Sequence, residues 1–428
     1  MTERIELICA IWLSLACGAG SSAPDLLFAK YGYSAEAIWR AEKEELASIP
    51  DLGEKYLAAL TNKSVDTAKS IYEYCLRNNV GLLPISSPLY PQRLRAIRSA
   101  PVLLYYKGRL PDLDASVLIA MVGTRSMTDY GSRTAYTLSY DLARGGAVVV
   151  SGMAAGVDSV CHRGALDAGA HTIAVFGCGI DRCYPSENRE LMDEIILRGT
   201  VITEFAPGTP PTGSNFPIRN RIISGLSQGT VVVEADQKSG AMITARTALM
   251  QGRDIYALPG KIGEKNSVGT NHLIKDGAKI ITDADDILSE YQHLYPTQIR
   301  LGRLHHGKSG YASAYPRRNK APAPEKKASD KKEKTPALEE NFFEKRVTKS
   351  KTPVPEATKH AKNTPDLSAL PENQRKIYEE LMAAGRSADE LAAAFDMPIG
   401  EIMAALTLLE ISGYIKALPG GMYVRADI

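Results

Sequence analysis

Two arginines, Arg219 and Arg221, stand beside Phe216 and Asn220 in the run Phe216-Pro217-Ile218-Arg219-Asn220-Arg221-Ile222-Ile223. A guanidinium grips phosphate through paired hydrogen bonds, and an aromatic face offers a base something to stack on. The bounding Gly and Pro residues place the run at a turn between two α/β units. Two more stretches, Val122-Gly123-Thr124-Arg125 and Lys238-Ser239-Gly240, each follow an apolar, strand-like run. Cations and glycines gathered at strand ends make a polyanion-binding rim, because glycine lets backbone amides approach an anion and opens helices by their positive ends.

Other chemistries find little support. Neither Gly123-Thr124-Arg125 nor Gly177-Cys178-Gly179 completes a dinucleotide fingerprint, and the Walker lysine motif is absent, so no nucleotide cofactor is assigned. Glu204 and Glu234 end strands and can bracket a substrate as acid and base; the commoner use of such carboxylates is to cap a helix or pair with an arginine. His162, His171 and His272 have no nucleophile with a recognisable elbow beside them. The six cysteines lack C-x-x-C and zinc spacing, and read as reduced cytosolic thiols with no metal site.

The whole chain of 428 residues carries a net charge of +2, which conceals an uneven distribution. Residues 301–365 hold 16 Lys and Arg against 7 Asp and Glu, a surplus of +9, so the remainder sums to −7. A DNA-coating basic surface is thereby excluded for the folded part, and any anion site there is a local pocket. No stretch has the roughly 18 apolar residues that cross a bilayer. Leu7–Cys17 is apolar, yet Glu3 and Glu6 deny it the positive flank of a signal peptide, so a buried first helix is expected.

The elements that must position the rim follow from periodicity. Residues 1–75 read as a helical domain, with a helix-hairpin-helix over 46–60 whose turn carries Asp51, a carboxylate that disfavours phosphate. From Val117 short apolar strands, at 117–122, 147–150, 172–176, 200–203, 230–234, 255–258 and 279–281, alternate with helices, including 219–227 and 241–251. That alternation predicts an α/β fold, a Rossmann-like, doubly wound, mostly parallel sheet within a core spanning 76–295, with its ligand crevice at the strands' carboxyl ends. Residues 296–365 are a Pro-, Lys- and Ala-rich basic linker, read as disordered. Residues 366–428 form a winged-helix module whose third helix, 399–412, has Glu401 and Glu410 but no Lys or Arg, which suits a protein contact or regulation better than groove reading.

The order and spacing of several segments resemble the DNA-processing protein A (DprA/Smf) family. They include Val122-Gly123-Thr124-Arg125 with Tyr130-Gly131, Ser151-Gly152-Met153-Ala154-Ala155-Gly156-Val157-Asp158, Gly177-Cys178-Gly179-Ile180-Asp181 and Tyr184-Pro185. Phe216 to Ser227, Glu234-Ala235, Lys238-Ser239-Gly240, Leu258-Pro259-Gly260 and Gly269-Thr270-Asn271 continue the match. The resemblance implies a non-enzymatic cytoplasmic protein, binding single-stranded DNA, forming a homodimer through its core and helping to load a RecA-type recombinase in natural transformation. It implies DNA contacts at Gly123, Arg125, Ser151, Gly152, Phe216, Arg219, Asn220, Arg221, Lys238, Ser239 and Gly240. Ala155 stands where many members carry Arg. The core also resembles lysine-decarboxylase-like phosphoribohydrolases, but the Glu of their P-G-G-x-G-T-x-x-E motif is missing after Pro259-Gly260-Lys261.

Overall fold

The computed structural model describes residues 2–302 and, within 371–425, all but 382–385, 396, 398–400, 403–404, 407–408, 411–413 and 419–421. The chain forms two compact units, Met1–Ala323 and Pro324–Ile428. The expected linker falls almost wholly outside the described residues.

The first unit opens with six helices: α1 (Thr2–Cys17), α2 (Ala23–Tyr31), α3 (Ala35–Arg40), α4 (Lys43–Ala47), α5 (Glu54–Thr61) and α6 (Asp66–Arg77). The sheet region then runs β1 (Gly81–Pro84), α7 (Gln92–Arg95), β2 (Leu103–Gly108), β3 (Leu118–Val122), α8 (Asp129–Arg144), β4 (Val148–Ser151) and α9 (Val157–Asp167). It continues through β5 (Thr172–Phe176), α10 (Arg189–Arg198), β6 (Thr200–Thr203), α11 (Asn215–Leu226), β7 (Gly229–Val232) and α12 (Gly240–Met250), and closes with β8 (Asp254–Ala257), α13 (Lys265–Lys275), β9 (Lys279–Ile280) and α14 (Asp285–Tyr291).

All nine strands join one sheet in the order β1-β2-β6-β5-β4-β3-β7-β8-β9. From β6 to β9 every pairing is parallel, while β2 runs antiparallel to both β1 and β6. The β1–β2 hairpin has no counterpart in the sequence reading, because two four- to six-residue strands around Pro84 and α7 show no sustained alternation. β3 and β5 are buried at every position, as strands covered on both faces must be. Along β3, Leu118, Ala120 and Val122 join one apolar cluster with Ile222 and Ile223 of α11 and Met242 and Ala245 of α12, while Ile119 and Met121 join the other with Leu138 of α8 and Val160 of α9. That is the two-residue period of a strand between two helix layers.

The first cluster also takes in Ile11 and Leu13 of α1, Leu27 of α2 and Leu60 of α5. The N-terminal helices therefore share the core of the sheet rather than forming the separate domain expected over 1–75. α1 lies in that shared core, with Cys9 to Leu13 and Cys17 buried while Ile5 and Leu15 stay exposed. In the hairpin turn Asp51 adopts φ 63, the left-handed conformation usually given to glycine.

From β3 the chain winds outward through β4, β5 and β6, then returns by α11 to place β7 on the other side of β3. The winding thus reverses between β3 and β7, and the space beyond their carboxyl ends is where open α/β sheets bind ligands.

In the second unit, α15 (Glu372–Glu380), α16 (Ala388–Phe395) and a three-stranded sheet of β10 (Arg386–Ser387), β11 (Ile415–Leu418) and β12 (Met422–Arg425) enclose Ile377, Leu391, Leu406 and Leu409. The strand order β10-β12-β11 fits the winged-helix expectation. The expected third helix is described only in part, at 401–402, 405–406 and 409–410, and the Pro419-Gly420-Gly421 turn lies outside the described residues.

Candidate nucleic-acid interface

A cleft of about 570 Å3 opens at the switch point, lined by the loops that follow five consecutive strands of the winding, β3 to β7. Gly123, Arg125, Phe216, Arg219, Asn220, Ser239 and Gly240 line it, so seven of the eleven residues expected at the site do meet. Lys238 is exposed one residue from the lining and has no ion pair with a described residue.

Arg125 is exposed, and its guanidinium carbon sits 5.3 Å from the centre of the Phe216 ring. Among the described residues it forms no ion pair. It is therefore a cation held over an aromatic face at the mouth of a cleft, free to meet an anion. Across the cleft, α12 begins at Gly240 without a side-chain cap, its first amides at the cleft wall, and the Ser239 Oγ has no hydrogen-bond partner. Uncapped amides and the positive end of the helix dipole suit a phosphate.

The sequence reading placed Phe216 to Ile223 in a turn. The structure places it in the first turns of α11, with Pro217 where the helix has no amide to satisfy. Residues two apart on a helix point about 200° apart, so Arg219 and Arg221 cannot serve one site. Arg219 is 3% exposed and donates from Nη1 to the carbonyls of Gly152 and Val175 and from Nε to Asn220 Oδ1 at 3.0 Å. Burial pushes its pKa down to about 10, Asp158 opposes that and Arg125 adds to it, so the group stays charged at neutral pH. Arg219 ties the loop after β4 to the end of β5 and supports Phe216 from 5.8 Å; its hydrogen-bonding capacity faces inward.

Arg221 leaves the cleft altogether. Its Nη2 donates to both oxygens of Glu204 at 2.7 and 2.6 Å, with the two side chains only 11% and 7% exposed. Glu204 also accepts from the Gly20 amide at 3.3 Å. This ion pair fastens α11 to the end of β6 and to the N-terminal helices, and the expected DNA contact at Arg221 is replaced by a structural one. Ser151 is likewise internal, fully buried with its Oγ donating to Met121 O at 2.7 Å. Gly152 is small because a Cβ there would meet the Arg219 guanidinium at 2.5 Å. Both support the site from behind.

The candidate acid and base fare as their commoner reading expected. Glu204 pairs with Arg221, and Glu234, 3% exposed, accepts from the Thr128 amide at 2.9 Å and from the Thr128 hydroxyl at the start of α8. His162 and His171 bond Thr172 and Thr200, each at 2.8 Å, and His272 bonds Asp276 at 2.7 Å; none lines the cleft. Among the described residues no group of acidic, His or Cys side chains is placed to hold a metal.

Sequence reasoning missed Tyr184 and Asp158 as lining residues. Tyr184 is 40% exposed with its ring centre 5.3 Å from that of Phe216, extending the aromatic surface. Its signal was present, an aromatic in the loop after β5, but nothing in the sequence ties that loop to α11. The loops after β3 and β4 interlock through Val157 N donating to Thr124 O at 3.2 Å, and Gly156 at φ 86 permits it, since a Cβ there would sit 2.5 Å from Thr124 O.

A family model described as DNA recombination-mediator protein A matches residues 81–292, and one described as the DprA winged helix domain matches 361–421. Protein Smf of Synechocystis is 31% identical over 91% of this chain and 92% of its own length. The chain belongs to the DNA recombination-mediator protein A (DprA/Smf) family. A solved structure of DprA from Streptococcus pneumoniae, 35% identical, superposes with a TM-score of 0.57 over 65% of this chain and 95% of that one. One of the single-stranded-DNA-binding DNA processing protein A from Helicobacter pylori gives 31% identity and a TM-score of 0.46 over 50% and 97%. The first match shows a shared fold with a DprA protein, and recombination mediation is the role of this family. Among the described residues, no helix of this DprA/Smf chain is long and apolar enough to cross a membrane.

Proposed function

We propose that the switch-point cleft binds single-stranded DNA, with the backbone passing Arg125, Lys238 and the amides that open α12, and bases against the Phe216–Tyr184 surface. The carrying observation is the seat of Arg125 over Phe216, a cation and a π-face together with no carboxylate among the described residues on the cation. Unpaired strands need that combination, whereas a duplex hides its bases from it. The acidic balance of the rest of the folded part supports a confined site over a coated surface.

In this reading the chain is a non-enzymatic, cytoplasmic mediator that works as a homodimer, shields incoming strands in natural transformation and passes them to a RecA-type recombinase. Competition between single-stranded and duplex oligonucleotides at two salt concentrations tests the ligand class. The single strand is expected to win at both, with affinity falling as salt rises; equal affinity, or a preference for duplex, overturns the proposal.

A further inference from the structure

A second cleft, of about 690 Å3, lies on the far side of the loop that carries Arg125. Tyr130, Asp129, Pro259, Lys261, Glu264 and Asn266 line it. Its walls are built: Tyr130 OH donates to Pro259 O at 3.0 Å, the Asn271 amide closes both ways on Gly260 at 3.0 and 3.1 Å, and Asn266 Nδ2 donates to Ser126 O at 2.8 Å. The Tyr130 ring nonetheless stays 50% exposed.

The ridge between the two clefts is made of residues 124–128, 235–239 and 264–266, stitched by Ala235 N to Asn266 O at 2.7 Å and by Asn266 to Ser126. Its exposed cations are Arg125, Lys238 and Lys265, the last only loosely paired with Asp236 at 3.7 Å. Three residue steps lead from Arg125 to Thr128 at the second cleft, a reach of at most about 11 Å. Cations therefore run along the crest and an exposed aromatic stands on each side of it.

Resting on the proposed single-strand reading, we infer that the strand crosses this ridge and that the second cleft receives a nucleobase stacked on Tyr130. The acids at its rim, Asp129 and Glu264, repel phosphate but accept hydrogen bonds from the N–H edge of a base, so the backbone stays on the crest and a base enters. Glu234, inside the cleft, is already occupied by Thr128.

The test compares two oligonucleotides by fluorescence anisotropy: the shortest whose binding depends on Arg125, and one longer by several nucleotides. Tyr130→Ala is expected to weaken the long oligonucleotide about tenfold, in line with the loss of one stacked base, and to leave the short one unchanged. Tyr130→Phe, which keeps the ring and loses only the bond to Pro259 O, is expected to bind both as the unaltered chain does. Equal weakening of both oligonucleotides by Tyr130→Ala, or of neither, overturns the inference. A measurement on the unaltered chain guards against a folding defect: photo-crosslinking a long bromouridine-bearing oligonucleotide is expected to label Tyr130, and labelling confined to the first cleft overturns it. Failure of the single-strand reading itself looks different, since Arg125→Ala would then weaken no single-stranded oligonucleotide of any length.

Discussion

Three arginines on the loops and helix that build one cleft do three different jobs, and the difference lies in what each guanidinium already holds. Arg219 holds carbonyls, Arg221 holds a carboxylate, and Arg125, among the described residues, holds the face of Phe216 and no carboxylate. Arg221→Ala leaves Glu204 buried without its counter-charge, and is expected to cost about 3–5 kcal/mol of stability in chemical denaturation. Affinity per folded molecule should stay close to that of the unaltered chain. A second residue-scale expectation concerns pH. Thr172 Oγ1 donates to Val149 O at 2.8 Å, so His162 Nδ1 must be the donor to Thr172, and its Nε2 is left buried without a partner. A proton on Nε2 would find no acceptor there, and burial holds His162 at about 3 and His171 at about 4, below the ordinary 6.5. The unfolded chain therefore takes up more protons once pH drops below about 6.5. Stability contributed by the neutral imidazoles is complete above that pH and lost as pH falls toward 3, by up to about 1.4 kcal/mol per pH unit for the fully buried His162. Thermal unfolding midpoints measured from pH 7 to pH 5 should decline, and the decline should be shallower in His162→Leu.

At the scale of elements, the site depends on loops that interlock at strand ends. Gly156→Ala would force a Cβ into the Thr124 and Arg125 carbonyls at a backbone φ of 86. It is expected to destabilise by about 2 kcal/mol and to weaken single-strand binding, because the displaced loop carries Arg125. Gly240→Ala, by contrast, opens onto empty space at the start of α12 and should be tolerated in stability measurements. The same elements show what was legible beforehand. Much of the run from β3 to α14 was readable because strands such as β3, β4 and β5 are continuous apolar stretches and helices such as α8 carry their own period, whereas α13 begins at Lys265, ahead of the expected 271. Gly123, Arg125, Phe216 and Lys238-Ser239-Gly240 were readable as a group because they follow those strands. The parting of Arg219 from Arg221 was implicit in a helix drawn over 219–227, but the Gly and Pro residues around it read as a turn. Which way each guanidinium faced depended on Glu204 and Gly152, partners 17 and 67 residues away, and no local pattern encodes such contacts. The β1–β2 hairpin escaped for a similar reason: it gains its stability by pairing with β6 rather than from its own sequence.

For the molecule as a whole, charge is segregated by segment, with the surplus of +9 in residues 301–365 against −7 elsewhere. Residues 1–300, which carry the cleft, hold 30 Lys and Arg against 32 Asp and Glu, so polyanions are attracted there only where cations cluster locally, as on the ridge of Arg125, Lys238 and Lys265. The most direct test of the account is single-stranded DNA affinity across a salt series for Arg125→Ala, with Arg221→Ala as its partner in the comparison. Arg125→Ala is expected to bind at least about tenfold more weakly and to lower the slope of log affinity against log salt by about 0.7, one phosphate contact on a single strand. Arg221→Ala, scored on the folded fraction, should match the unaltered chain in both. Unchanged affinity and slope in Arg125→Ala, or a loss confined to Arg221→Ala, would contradict the account.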